Sequence, residues 1–161
     1  MKTPDSTKTP IASTAEIREL TDICEQYRDL VLTYLSFSAA EIADTTSFKA
    51  MWKLLNRYGD DRFYIPHEGN RFAKIIHLIG KEHAEALSLK FGGDWFNLSS
   101  FKGAVSAVNR MKRDINILEL HQAGYSIRQI TKVIAATAPT VRASLKRLKC
   151  DCPNCRENGA P

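Results

Sequence analysis

No apolar run in this 161-residue sequence approaches the length of a membrane span, and its polar start has no apolar stretch of the signal-peptide kind. These absences predict a cytoplasmic chain without membrane contact. Four cysteines are too few for a disulfide scaffold at this length, and in a reducing compartment they are thiols or metal ligands. The sequence also lacks a Walker loop, a dinucleotide fingerprint, a G-x-S-x-G elbow and an H-E-x-x-H helix. His67, His77, His83 and His121 are scattered, and Asp60, Asp61 and Asp94 stand beside glycines, where turn chemistry accounts for them. The expectation is a chain that is not an enzyme.

Acid is scarce toward the C-terminus. Residues 102–149 hold ten Lys or Arg against Asp114 and Glu119, a net +8 in 48 residues that leaves −3 for the rest of a chain of net charge +5. Such segregation favours a polyanionic partner.

What is present is mainly helical periodicity. Residues 1–12 read as a disordered tail rich in Thr, Lys, Pro and Ser. Ser13 to Glu16 matches a capping box, and Ile17, Leu20, Cys24, Tyr27, Val31 and Tyr34 continue one helical stripe, widened by Ile23, Leu30 and Phe37. Ser38 to Glu41 repeats the capping pattern. Thr46 or Ser47 caps a helix through Phe48, Met51, Trp52 and Leu55 that Gly59 ends. Phe63-Tyr64-Ile65-Pro66 predicts a short strand near 62–66, confined to an edge by its proline. A helix over about 71–90 follows, stopped by Gly92-Gly93, and a second aromatic strand near 95–98. The stretch from Tyr58 to Pro66 aligns with Phe91 to Ser99 at an offset of 33 residues. The pattern suggests a helix–strand duplication whose strands pair as a ribbon. The fold class expected is therefore mainly α: a helical core over 13–99 with one or two short strands, then a linker helix and helix-turn-helix over 100–149, and a cysteine-containing tail over 150–161.

The strongest motif is Ile117 to Lys149. A first helix ends before Gly124; Ser126 to Gln129 is a capping box for a second, whose buried face is Ile127, Ile130, Val133 and Ile134; Thr137 caps a third with Pro139 in its first turn. Val141, Leu145 and Leu148 fall on one face of that third helix. Pro139, Thr140, Arg142, Ala143, Lys146 and Arg147 fall on the other, which is small or basic and has no acid. A helix that enters the major groove of double-stranded DNA needs small residues near its start and long cations for bases and phosphates. The candidate contacts are Arg142 for a base, then Thr140, with Thr137 and Ala143 as small neighbours. Lys146, Arg147 and Lys149 are candidates for phosphates, and Arg128 and Gln129 for the backbone at the second helix's start. A plain three-helix bundle explains the apolar spacing equally well but not the acid-free face. RNA binding lacks its aromatic and GxxG signatures.

Cys150, Cys152 and Cys155 form a C-x-C-x-x-C that zinc would accept, with Cys24, His121 or a residue of another subunit as fourth ligand. A reduced tail is the plain alternative.

Ile79-Gly80, Glu82, Ala84, Leu87 and Phe91-Gly92-Gly93, together with Phe63 to Pro66 and the C-terminal helices, resemble the Mor/C family of transcription activators of Mu-like phages over about residues 50–149. In that family the Gly-Gly turn directly precedes the Tyr-Ile-Pro string; here the two are split between the repeated stretches. The resemblance implies a homodimer whose core strand is formed by Phe63, Tyr64 and Ile65, or by Trp95 and Phe96 of the second stretch. It also implies recognition helices in successive major grooves and recruitment of bacterial RNA polymerase at phage promoters. The competing expectation is a non-enzymatic adaptor of a phage or mobile element that binds a host protein, and a third is an accessory arm of a recombinase or transposase.

Overall fold

The computed structural model describes residues 9–150. It is mainly helical, at 71%, with one small antiparallel sheet. The chain divides into two compact units between Val108 and Asn109, and that division falls inside one helix rather than at residue 100.

In the N-terminal unit, α1 (Thr14–Gln26) starts on the Ser13–Glu16 capping box. The single stripe expected to run on to Phe37 is broken at Tyr27, and α2 (Arg28–Tyr34) resumes it. At the break both backbone groups of Tyr27 are paired: it donates to the Ile23 carbonyl at 3.3 Å and accepts from Val31 at 2.8 Å. Ile17, Cys24, Val31 and Tyr34 are buried, whereas Phe37 is 79% exposed and does not widen the face. The next helix begins two residues earlier than its capping pattern predicts. Ser36, not Ser38, caps α3 (Phe37–Thr45), and this register buries Ala39, Ile42 and Ala43. Ser47 caps α4 (Phe48–Tyr58), and Gly59 ends it.

The helix expected over 71–90 is two helices, α5 (Asn70–Ile79) and α6 (Lys81–Phe91), split at Gly80. Gly80 has φ 93°, a left-handed conformation that a residue with a Cβ avoids and that no continuous helix contains. The strands β1 (Arg62–Tyr64) and β2 (Trp95–Asn97) are the two aromatic stretches, and they pair antiparallel with Phe63 opposite Phe96.

The 33-residue offset has a geometric counterpart larger than a helix and a strand. Shifted by 33, the bounds of α3, α4 and β1 coincide within one residue with those of α5, α6 and β2. Matching details recur. Tyr58 packs on Phe63 with centroids 4.8 Å apart, and Phe91 on Phe96 at 4.7 Å. Ile65 donates to the Asp94 carbonyl at 3.1 Å, and its counterpart Leu98 to the Asp61 carbonyl at 3.2 Å. Asp60 and Gly93 both take positive φ, 70° and 87°. The ribbon is therefore the meeting line of two similar halves. Their helices bury Ile42, Phe48, Met51, Trp52, Leu54 and Leu55 on one side and Ile75, Ile79, Ala84 and Leu87 on the other. The start of the described chain is fastened to the first half by Asn56. Its Oδ1 accepts from the Ile11 and Ala12 amides at 2.8 and 2.9 Å, and its Nδ2 donates to the Ala12 carbonyl at 3.1 Å.

The C-terminal unit consists of the later part of α7 (Phe101–Gln122), α8 (Ile127–Ile134) and α9 (Ala138–Arg147). Ile117, Ile130, Val141 and Leu145 form its buried apolar cluster, against which Leu118, Ile127, Ile134 and Cys150 pack. Val133, expected in that cluster, is 60% exposed. On an eight-residue helix centred on Ile130, Ile127 and Ile134 lie to one side and Val133 to the other. No helix among the described residues is long and apolar enough to cross a membrane.

Candidate nucleic-acid interface

α8 and α9 are joined by a tight turn. Ser126 accepts from the Gln129 amide at 3.2 Å while Gln129 Oε1 accepts from the Ser126 amide at 2.8 Å, the capping box expected from the sequence. Gly124, with φ 96°, makes the turn from α7. Ala135 sits in the left-handed region at φ 54° and closes α8. Thr137 then caps α9: its Oγ1 accepts from the Thr140 amide at 3.4 Å and lies 2.9 Å from the Thr140 hydroxyl. Thus two of the residues assigned to DNA, Thr137 and Gln129, also have structural work at helix starts, and the Thr140 hydroxyl is shared with Thr137.

The two faces of α9 separate as the sequence predicts, except that Leu148, expected on the buried face, is the half-buried C-cap residue, and with one addition. Val141 and Leu145 are fully enclosed; Pro139, Arg142, Ala143, Lys146 and Arg147 are exposed, and Thr140 is half-buried. The addition is Ser144, which is buried with them. Its Oγ donates to Asp114 Oδ1 at 2.7 Å. Arg147 Nη1 donates to Asp114 Oδ2, and Arg113 Nη2 lies 3.3 Å from Oδ1. Asp114 is 0% exposed. A buried carboxylate is tolerated only when its lone pairs are taken by donors, and here they come from both α7 and α9.

This clamp was not read from the sequence, where Asp114 counted only as one of two acids in a basic region. A 30-residue separation from Ser144 hides it. The clamp also changes what Arg147 offers. Its guanidinium, still half exposed, is held against a buried carboxylate, so it contributes less positive field than Arg142 or Lys146, for which no ion pair occurs among the described residues. Lys149 lies beyond the end of α9, at φ 50°, and not on the helix that was expected to reach it. Arg128 is exposed at the start of α8. The surface that remains is Arg142, Ala143, Lys146 and Pro139 on α9, flanked by Arg128 and Lys149, with no acid on the helix itself.

Among the residues assigned to a dimer core, Phe63 and Ile65 are buried within their own chain, Phe96 and Tyr64 are half-buried, and Trp95 is 49% exposed. Of the metal candidates, Cys150 is half-buried against the C-terminal cluster, while Cys152 and Cys155 lie outside the described residues. No group of three His, Cys, Asp or Glu side chains suited to a metal occurs among the described residues. Cys24 is fully enclosed; burial pushes its thiol up to about 11, offset in part by the Trp52 indole N–H.

No family model, curated protein or solved structure matches this chain.

Proposed function

We propose that this protein is a sequence-specific regulator of transcription that binds double-stranded DNA as a dimer. In this reading α8 and α9 are a helix-turn-helix and α9 lies in the major groove. The observation that carries it is the outward face of α9: small at Pro139 and Ala143, basic at Arg142 and Lys146, free of acid, and fixed in direction by the Asp114 clamp behind it. A groove-reading helix needs a rigid support, because misplaced side chains lose the bidentate geometry that discriminates bases. Arg142 is the base-reading residue, Lys146 and Lys149 hold phosphates, and Arg128 meets the backbone through the start of α8. The Mor/C resemblance adds the class: a phage or prophage activator that works with bacterial RNA polymerase.

The test is selection of binding sites from a random duplex pool, followed by gel-shift titration of the selected site at about 50 and 200 mM salt. A recovered motif whose affinity falls steeply with salt is expected. No enriched sequence and no salt-sensitive duplex binding would reject the reading.

A further inference from the structure

The N-terminal unit contains a cavity of about 780 Å³ that the DNA-binding reading does not use. Its walls are residues 10–17, α4, the ribbon and α5. Lys53 and Arg57, one turn apart on α4, line it from one side; Arg71 and Lys74, one turn apart on α5, line it from another; Arg62 reaches it from β1. Asp61 is the one acid among the lining residues. Five cations against one acid give the lining a positive balance, which favours an anion.

The cavity also has an aromatic side. Trp95, a large apolar residue left 49% exposed, lines it together with Tyr64, their ring centroids 5.2 Å apart. The Arg62 guanidinium stands 5.3 Å over the Trp95 ring. A phosphate-seeking wall beside a stackable indole is complementary to a molecule that carries both a phosphate chain and a flat ring. The volume falls in the range of small-molecule sites, about 300–1,000 Å³. The segment that Asn56 ties down forms one side of the concavity. Lys53 Nζ donates to the Leu78 carbonyl at 3.2 Å, which ties α4 to α5 beside the cavity.

We infer that this cavity binds a free nucleotide, its phosphates between the α4 and α5 cations and its base against Trp95. Arg71 and Lys74, both exposed, are the phosphate-holding residues chosen for substitution.

Trp95 gives the experiment its signal, because the chain's other tryptophan, Trp52, is fully enclosed. The full-length protein is titrated with ATP, with adenosine and with tripolyphosphate, without divalent cation, by tryptophan emission and by calorimetry. Saturable ATP binding is expected, with adenosine and tripolyphosphate each at least about tenfold weaker. Arg71→Ala/Lys74→Ala should lower ATP affinity by roughly tenfold or more, as expected for lost charge-assisted hydrogen bonds, with an unchanged circular dichroism spectrum. Trp95→Leu should abolish the emission change and weaken the calorimetric affinity. The inference fails if ATP gives no saturable signal at millimolar concentration, if tripolyphosphate binds as well as ATP, or if the double variant binds ATP like the parent. It fails equally if a single-stranded oligonucleotide occupies the site while ATP does not.

Discussion

The two units of this chain hold themselves together by different means. The N-terminal unit encloses large apolar side chains throughout, Trp52, Phe48, Met51, Leu54 and Leu55 among them, and its buried polar residues are the neutral Asn56 and Ser88. The C-terminal unit has four fully buried apolar side chains in its cluster, and beside them Asp114, His121 and Ser144. Three short helices bury too little apolar surface to fix their crossing angles by packing alone. Directional bonds to a buried carboxylate supply what packing lacks. The larger unit is held by bulk, and the smaller one by a polar lock whose geometry the exposed face of α9 inherits.

That comparison breaks most directly at the lock. Asp114→Ala removes the acceptor shared by Ser144, Arg147 and Arg113; Ser144 keeps the Thr140 carbonyl and both guanidinium groups are partly exposed, so the loss is about 2–3 kcal/mol. Thermal unfolding followed by circular dichroism should lose a helical component roughly 10–20 °C early. Tryptophan emission, which reports only the N-terminal unit, should keep its transition. One shared transition in both signals would mean that the units are not separately stabilised.

The N-terminal unit has a weak point of its own, at high pH. The Cys24 thiol titrates at about 11 in the folded chain and near 8.5 when exposed. A group whose folded value is raised stabilises fully below its unfolded value, and that contribution is lost as pH rises from about 8.5 through about 11. The loss amounts to about 2–3 kcal/mol at the top of that window. Denaturant midpoints measured at pH 8 and pH 11 should differ less in Cys24→Ala than in the parent. At pH 8 a thiol reagent should modify half-buried Cys150 well before Cys24.

On the exposed face of α9, Arg142→Glu should weaken binding to a selected duplex by about tenfold or more and reduce discrimination between sites, whereas Lys149→Ala should weaken all duplexes alike by a few-fold. The helix content of both should match the parent. Equal loss of specificity from the two changes would contradict the division into base and phosphate contacts.

The smallest effect concerns two turns. Each unit has a residue other than glycine in the left-handed region at a tight turn, Asp60 at φ 70° and Ala135 at φ 54°. Asp tolerates that region better than Ala. Ala135→Gly should therefore raise stability by about 0.5–1 kcal/mol and Asp60→Gly by less. Chemical denaturation of both variants checks the order.

How much of this could be read beforehand follows from how local each feature is. Caps at Ser13, Ser126 and Thr137 depend on three or four consecutive residues, and the sequence places them correctly; it narrows that of α4 to Thr46 or Ser47, and Ser47 is the cap. The aromatic strands and their pairing were legible because a helix stop precedes each. The misread places are those where a distant contact chooses between two local solutions. Ser36 prevails over Ser38 because the earlier start buries Ile42 and Ala43. The apolar stripe runs on through Tyr27 and Gly80 even though the backbone breaks at both. For the candidate interface, the outward set on α9 followed from helical spacing alone. The Asp114 lock and the cationic cavity did not, since each joins residues tens of positions apart on elements whose packing no periodicity reveals.

The ribbon of β1 and β2 carries a last consequence. Two similar halves, each a pair of helices and a strand, meet there through matching registers, in the way two identical chains meet across an axis. Here five residues, 65–69, join the first half to the second, so each half finds the other at a fixed, high effective concentration instead of by encounter. The pairing cannot be diluted away. Its strength is the same at any protein concentration, and Phe63 and Phe96 stay opposite one another in a lone chain.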